Sequence, residues 1–332
     1  MTDSSPFYSV VICTYNRAHL VARAVSSILG QTEGDFELLV VDDGSTDETP
    51  QTMSRFKDPR VHYYRREENL GVSACTNFGL ARAGGLYITF LNDDDLFHPE
   101  FLARMKEHLH DRQPSFSWCG VLEYRSGLLS RELFVECPEQ EKNLEFRQAR
   151  AASIGLGFGF VIERDLMASL GGMDETLRTA EDLEFFIRLV QEPVSWSPLN
   201  EFLVEVHLQD DRLTQYREAR ADALEYIEEK HAGFLQRNST IAGAVLFQKC
   251  LYLVECGARQ RARRTLWPEV FQSRWALTLF VSNELRHSML GRLLLKLYRR
   301  LFVPQILTHE FPTYPQAPNP DSHPGPSAAH PN

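Results

Sequence analysis

The stretch Tyr87–Pro99, Y-I-T-F-L-N-D-D-D-L-F-H-P, carries the pattern that decides the fold of this chain. Tyr87–Leu91 is short, apolar and rich in β-branched and aromatic residues, which is typical of a strand buried on both faces of a parallel sheet. Three consecutive carboxylates follow within Asn92–Asp95, where the chain leaves the sheet. Because adjacent carboxylates repel one another, the cluster predicts a bound cation, of which a divalent metal ion is the simplest. An isolated acidic run would instead be interpreted as a solvated turn before a helix over 98–110, and the neighbouring segments decide between the two.

Strand-like and helical segments alternate along the first two thirds of the chain. Short apolar runs at 8–14, 36–41, 61–65 and 87–91 predict four strands, with a helical pattern between each pair. This order predicts an α/β fold with a doubly wound, mostly parallel sheet, in which ligands bind at the carboxyl ends of the strands. Further along, the sequence predicts a helix over 98–110, strands over 115–124, 131–136 and 196–208, and a second helix over 180–191.

Composition divides the chain into three parts. Residues 1–214 are predicted to form the α/β domain, 215–303 a helical region, and 304–332, with eight of the 17 prolines, a disordered tail. Within the helical region, 285–303 sets leucines against arginines and a lysine, which predicts a basic amphipathic helix. That helix either lies on an anionic membrane surface or packs on the α/β domain.

The composition is that of a soluble globular protein, with 43% hydrophobic and 24% charged residues. The formal net charge of -10 argues against nucleic-acid binding. Six cysteines without C-x-x-C spacing predict reduced thiols. The sequence shows neither a signal-peptide pattern nor a run of about 18 uncharged apolar residues. We therefore expect a cytoplasmic location, with any membrane contact peripheral and on the inner face.

Five segments between about residues 8 and 210 form an ordered series: S-V-V-I-C-T-Y-N-R, F-E-L-L-V-V-D-D-G-S-T-D-E-T, N-L-G-V-S-A-C-T-N-F-G-L-A-R-A, Y-I-T-F-L-N-D-D-D-L-F-H-P and T-A-E-D-L-E-F-F-I-R-L. In this order they resemble the inverting glycosyltransferases of the GT-A fold, specifically the large family 2 of nucleotide-sugar transferases. The resemblance implies transfer of one sugar from a nucleotide diphosphate sugar, with UDP favoured, to a hydroxyl of a glycan or lipid-linked acceptor. It also implies a nucleotide-binding half, an acceptor half, a Mn²⁺ or Mg²⁺ cofactor and a role in cell-surface polysaccharide or glycan assembly.

The resemblance places the metal at the acidic cluster. Asp94 matches the last Asp of the family's D-x-D motif and is the first choice of ligand. Asp93 and Asp95 are secondary choices, acting through water or the sugar hydroxyls, and we assign Asp93 to the nucleotide sugar and Asp95 to the metal. Asn92 departs from the motif at its first position, which lowers the expected affinity for metal in the absence of nucleotide. His207 matches a histidine that completes the metal or diphosphate contact in many relatives; a strand-end histidine bonded to backbone is the alternative.

The resemblance also indicates where the nucleotide binds. Asp43 matches the residue that accepts a hydrogen bond from the base, which suits uracil or guanine because both offer an N–H donor. Thr14 and Tyr15 are expected to supply backbone and an aromatic face to that base. Asn69 and Gly71 bring backbone close to the nucleotide in this family.

A general base is expected on the acceptor side. Inversion by a single displacement requires a carboxylate opposite the leaving diphosphate, within hydrogen-bond reach of the attacking hydroxyl. By resemblance, Asp182 is that base, with Glu181 beside it as an organiser. Without the resemblance, the pair would be interpreted as two acids that stabilise a helix N-terminus by about 0.3–1 kcal/mol.

A second departure from the family pattern is Thr76, where relatives often carry an Arg in A-R-N. The departure removes a diphosphate or base contact, and Arg17 is the candidate substitute. With Asn92, it leaves open a different class of function, a catalytically inactive nucleotide-sugar-binding or scaffold protein, against which Asp94 and Asp182 argue. A sugar-nucleotide pyrophosphorylase is disfavoured because C-T-Y-N-R follows the first strand in place of a glycine-rich basic loop.

Two further segments have both a functional and a structural interpretation. Gln209–Leu213 partly matches the Q-x-x-R-W signature of processive synthases, but Leu213 replaces the Trp, so we expect one sugar per encounter. Gly155–Phe160 and Gly171–Asp174 line the acceptor side in relatives, and simple packing is the alternative.

Overall fold

The computed structural model describes residues 5–136, 144–152, 154–155, 159–208 and 217–266. Within these ranges the chain forms nine strands and eleven helices. The strands are β1 Tyr8–Thr14, β2 Phe36–Asp42, β3 Val61–Arg65, β4 Tyr87–Phe90, β5 Leu96–Phe97, β6 Phe116–Arg125, β7 Leu128–Leu133, β8 Val161–Glu163 and β9 Trp196–Leu208. The helices are α1 Ala18–Leu29, α2 Thr49–Met53, α3 Val72–Leu80, α4 Phe101–Arg112, α5 Leu144–Ala151, α6 Arg164–Ser169, α7 Glu181–Leu189, α8 Arg217–Lys230, α9 Ala232–Leu235, α10 Ser239–Cys256 and α11 Arg259–Leu266.

All nine strands belong to one sheet, in the order β3-β2-β1-β4-β8-β6-β9-β5, with β7 paired to β6. The first four strands are parallel, and a helix follows each of the first three before the next strand begins. β8 joins the two halves, since it runs antiparallel to both β4 and β6. The predicted doubly wound α/β sheet is therefore confirmed, with an antiparallel strand at its centre.

The parallel strands are buried on both faces because side chains alternate along each strand. On β2, Leu38 and Val40 pack into the cluster that contains Val25 of α1, whereas Leu39 and Val41 pack into the cluster that contains Cys75 of α3. Helices α1 and α4 thus cover one face, and α3 and α7 cover the other. This two-sided burial explains why the strands have continuous apolar sequences.

Two predicted elements are shifted by two or three residues in the structure, and two strands were not predicted. β7 begins at Leu128 because Ser126 and Gly127, with φ of 50° and 79°, form the hairpin turn earlier than expected. β5 and β8, of two and three residues, are too short to give a periodic pattern. The helix predicted over 98–110 runs over Phe101–Arg112.

The helices after residue 216 share the core of the α/β part. Leu224, Phe234 and Val245 pack in the same cluster as Phe185 of α7. One helix of the described part, Ser239–Cys256, is long and apolar enough for a membrane span on length and composition alone. About 44% of that window is buried inside the protein, and its Lys249 forms an ion pair with Glu228.

Several predicted features lie outside the described residues. They are the boundary at 214 and 215, the segment Gln209–Leu213, the basic helix over 285–303 and the proline-rich tail. In the part of the chain that the structure describes, five cysteines are present and all are free thiols.

Candidate active site at the carboxyl edge of the sheet

The carboxyl ends of β1, β2 and β4 bring the polar residues of three sequence segments together. Thr14 lies in register with Asp42 on the neighbouring strand, and its carbonyl accepts a hydrogen bond from the Asp43 amide at 2.9 Å. The Thr14 hydroxyl donates to Asp93 Oδ2 at 2.8 Å. Residues separated by up to 79 positions in sequence therefore meet at one sheet edge.

Arg17 lies between two of the three consecutive aspartates. Its Nη1 donates to Asp93 Oδ1 at 2.5 Å and to Asp94 Oδ2 at 3.1 Å. Burial is the main reason that the pKa of Asp93 is raised to about 6; the charge of Asp94 adds to this, while Arg17 and Thr14 oppose it. One guanidinium thus compensates only part of the charge of the acidic cluster.

Asp95 links the acidic cluster to β9. Its Oδ1 accepts from the backbone N–H of His207 at 2.9 Å, and its Oδ2 accepts from Asn92 Nδ2 at 2.8 Å. Burial first, and then the nearby Asp94 charge, raise the pKa of Asp95 to about 7. Asn92, the departure from D-x-D, therefore acts as a donor that holds Asp95 in place.

The His207 ring contains a buried polar atom. The ring stacks on Tyr124, with centroids 5.2 Å apart, and its Nε2 is buried without a hydrogen-bond partner among the described residues. Nε2 lies 3.4 Å from Glu205 Oε2, but without hydrogen-bond geometry. The alternative of a histidine whose ring is satisfied by backbone is therefore not supported for Nε2.

The donor chemistry of this edge fits a metal that is held jointly with a nucleotide. Among the described residues, no three His, Cys, Asp or Glu side chains are arranged to hold an ion by themselves. Mg²⁺ and ions like it commonly take only one or two carboxylates and complete their shell with substrate phosphates and water. Asp94 is a carboxylate of this edge that meets this requirement.

Asp43 organises the loop before α3. Its Oδ1 accepts from the Leu70 amide at 3.0 Å and its Oδ2 from the Gly71 amide at 2.8 Å. Asp43 is buried, with 4% of its surface exposed, so these bonds hold its carboxylate in a fixed position. Gly71 has φ of 92°, a conformation that favours glycine, and it precedes the first residue of α3. Asn69 is exposed in the same loop, and Tyr15 is 43% exposed after β1.

Asn16 is a residue of this edge that the sequence analysis missed. It has φ of 52°, its Oδ1 accepts from the Thr46 amide at 2.7 Å, and its own amide donates to Ser45 Oγ at 2.8 Å. Asp47 Oδ2 in turn accepts from the Ala18 amide at the start of α1. These contacts join the loop after β1 to the loop after β2. An Asn in Y-N-R between a strand and a helix was the available signal.

Helix α7 begins with the acidic pair of the predicted acceptor side. Asp182 Oδ1 accepts from the Leu183 amide at 2.8 Å, and a methyl group at Gly155 would lie 3.1 Å from Asp182 Oδ2. Burial, and then the charge of Asp182, raise the pKa of Glu181 to about 7.

The loop before α7 is attached to the nucleotide side through α3. The Ser73 hydroxyl donates to the Leu177 carbonyl at 3.0 Å. Asn77 accepts from the Met173 amide at 2.7 Å and donates to the Met173 carbonyl at 2.9 Å. The segment Gly171–Asp174 therefore packs directly on the helix that follows Gly71.

Glu184, one turn into α7, was not singled out from the sequence. It is fully buried and accepts from Arg188 Nη2 at 2.7 Å, Lys230 Nζ at 2.7 Å and His231 Nε2 at 3.0 Å. Lys230 also pairs with Asp174 at 2.6 Å. Burial alone would raise the pKa of Glu184, but hydrogen bonds from His231, Arg188 and Lys230 outweigh it and lower the pKa to about 2.

Comparison with known families shows which class of protein has this set of residues. The model of glycosyl transferase family 2 matches residues 9–171, from β1 to the end of α6. Residues 9–171, which contain the acidic cluster and nearly all of the first four strands, belong to glycosyl transferase family 2. A relative of this family 2 chain is the protein named putative teichuronic acid biosynthesis glycosyltransferase TuaG, from Bacillus subtilis. The two are 28% identical over 216 residues, which is 64% of this chain and 84% of TuaG.

Solved structures show the same fold for this family 2 chain. TarS of S. aureus in complex with UDP-GlcNAc superposes with a TM-score of 0.56 at 16% identity, over 90% of each chain. The mannosyltransferase PcManGT of Pyrobaculum calidifontis, in complex with GDP-Man and Mn²⁺, gives a TM-score of 0.59 at 18% identity, over 92% of this chain and 88% of that one. The GT-A fold expected from the sequence is therefore confirmed.

Proposed function

We propose that this glycosyltransferase moves one sugar, with inversion, from a nucleoside diphosphate sugar to a hydroxyl of a glycan or lipid-linked acceptor. The observation that carries the proposal is the meeting of Asp43, Asp93–Asp95 and the end of β9 at His207 at one sheet edge. UDP is the favoured nucleotide, because a carboxylate such as that of Asp43 can accept a hydrogen bond from a base N–H and TarS is described with UDP-GlcNAc. The name of TuaG supports a place in cell-surface polysaccharide assembly.

The acidic cluster and Arg17 are the donor side of the proposed reaction. Asp94 and His207 would hold Mn²⁺ or Mg²⁺, with Asp95 and Asp93 supporting them and the sugar; PcManGT is described with Mn²⁺. When bound, the ion neutralises the negative charge that develops on the leaving diphosphate. The chain's own contribution is to orient the carboxylates, through Asn92 and the His207 amide.

Asp182 is the proposed general base on the acceptor side. Its carboxylate accepts the proton of the acceptor hydroxyl while that oxygen forms a bond to the anomeric carbon and the bond from this carbon to the diphosphate breaks. Attack from the face opposite the leaving group inverts the anomeric configuration. The Leu183 amide holds Asp182 Oδ1, and Oδ2 lies beside Gly155.

Nucleotide-sugar binding tests the proposal directly. We expect one of a panel of UDP-, GDP- and dTDP-sugars to raise the melting temperature of the wild type with Mn²⁺ or Mg²⁺, and this gain to disappear with EDTA. In Asp94→Ala the metal-dependent part of the increase in melting temperature should be lost, because the first-choice ligand is removed. Hydrolysis of the same panel identifies the donor.

The control for this panel is Asp165→Asn, whose target side chain is 87% exposed and pairs only with neighbouring Arg164 among the described residues. It should respond to metal and donor as the wild type does. Binding of a nucleotide sugar without any turnover on acceptors would favour the inactive scaffold, and no binding of any nucleotide sugar would contradict the proposal.

We also propose a cytoplasmic enzyme that contacts the inner membrane face through the basic segment 285–303. Its arginines, lysine and leucines suit an anionic lipid surface. We expect vesicles containing anionic lipid to retain the full chain and to release it at high salt. A chain that lacks 285–332 should stay in the supernatant; equal retention of both chains would rule out this contact.

A further inference from the structure

Arg178 lies in the loop before α7 and reaches across to the loop before α3. A methyl group placed on the Cα of Gly71 would lie 2.8 Å from Nη1 of Arg178 and 3.5 Å from its Cδ. The guanidinium therefore rests directly on the backbone of Gly71, the residue whose amide binds Asp43. This is a contact between the acceptor-side loop and the nucleotide-side loop.

The backbone on either side of Arg178 is held in place. Leu177 is buried, and its carbonyl accepts the Ser73 hydroxyl at 3.0 Å. Two residues further on, Thr179 Oγ1 accepts from Arg220 Nε at 3.2 Å. The position of Arg178 over Gly71 is thus set by bonds on both sides, while its side chain stays exposed.

The charge of Arg178 has no compensating partner in the described part of the chain. Among the described residues, no hydrogen bond or ion pair reaches its guanidinium, whereas Arg17 is shared between Asp93 and Asp94. Arg17 is therefore already occupied by carboxylates when a donor arrives. A guanidinium presents parallel N–H donors that match phosphate oxygens.

We propose that Arg178 is a binding residue for the diphosphate of the donor, supplied from the acceptor-side loop. The inference rests on the proposed function, and it identifies a cation that neither the family comparison nor the sequence motifs assign. Because Arg178 stands four positions before Asp182, the same loop that presents the base also contacts the leaving group.

The test compares Arg178→Gln with the wild type in calorimetric binding of UDP, UMP and uridine, and of GDP, GMP and guanosine, with Mn²⁺ present. We expect the affinity for the diphosphate of the preferred base to fall about 10- to 100-fold, the effect of losing one charged hydrogen-bond pair. Binding of the nucleoside should change less than about twofold, because it carries no phosphate. Arg178→Lys should recover part of the loss, since it keeps the charge but not the fork.

The matched control is Arg23→Gln, which removes an exposed arginine on α1 and should leave all affinities unchanged. If the wild type binds UDP or GDP and Arg178→Gln binds it with the same affinity, the role proposed for Arg178 is wrong. That result would leave the proposed function intact. An equal loss for diphosphate and nucleoside would also overturn the role of Arg178, because that pattern indicates a disturbed loop. A wild type that binds no nucleoside diphosphate would overturn both this inference and the proposed function.

Discussion

Replacing Asp182 with asparagine is expected to abolish sugar transfer while nucleotide binding persists. Asparagine has nearly the same shape and its oxygen can still accept from the Leu183 amide, so helix α7 should be preserved. It cannot accept the proton of the acceptor hydroxyl. Loss of general-base catalysis lowers the rate by about 10²- to 10⁴-fold. The measurements are the turnover number on donor and acceptor, and the Kd for the nucleoside diphosphate.

A matched variant separates the base from general effects of charge. Asp165→Asn, which changes an exposed side chain on α6, should retain wild-type turnover. If Asp182→Asn turns over near the wild-type rate, Asp182 is not the base. If both transfer and nucleotide binding are lost, the residue holds the site together and its role is structural.

Of the substitutions proposed, replacing Glu184 with glutamine should cause the largest loss of unfolding free energy. The wild-type carboxylate is fully buried among Arg188, Lys230 and His231, and its pKa of about 2 lies well below the ordinary 4.5. A difference of this size corresponds to about 3 kcal/mol of unfolding free energy at neutral pH. Glutamine removes the charge and leaves two cations facing a neutral amide. Urea unfolding at pH 7 measures the difference.

The sign of the pH dependence follows from the lowered pKa. Folded Glu184 binds its proton less tightly than unfolded Glu184. Its contribution to the free energy of unfolding is therefore fully present above pH 4.5 and is lost as the pH falls towards 2. The difference in unfolding free energy between the wild type and Glu184→Gln should therefore become smaller below about pH 4.5. Glu229→Gln, an exposed neighbour of Lys230 on α8, should unfold like the wild type throughout. A gap that stays constant down to pH 3 would contradict this account.

The Glu184 cluster also connects the helical region to the proposed base. Lys230 and His231 come from the helical segment after residue 216, and Glu184 lies two residues after Asp182 on α7. The sequence predicts a helical region from 215 onward, separate from the α/β domain. The structure shows that its first helices share the hydrophobic core and an ion-pair cluster with α7.

Continuous local patterns are what made the fold predictable. The four parallel strands are apolar runs bounded by polar turns, and burial on both faces requires such runs, so their positions could be read from residues such as Val10–Cys13 and Leu38–Val41. β5 and β8 were not predicted because a strand of two or three residues has no recognisable periodicity and forms through pairing with its neighbours. The acidic cluster was predictable for the same reason as the long strands, since its residues are consecutive.

The sequence by itself determined the α/β class, the family and the sheet edge at which the polar residues lie. Only the tertiary structure decided how these residues are paired: Arg17 with Asp93, 76 positions away, and Glu184 with His231, 47 positions away. It also decided that Arg178 lies on Gly71. The physical reason is that secondary structure follows from local periodicity, whereas a charge's partner depends on which strands and helices the sheet order brings into contact.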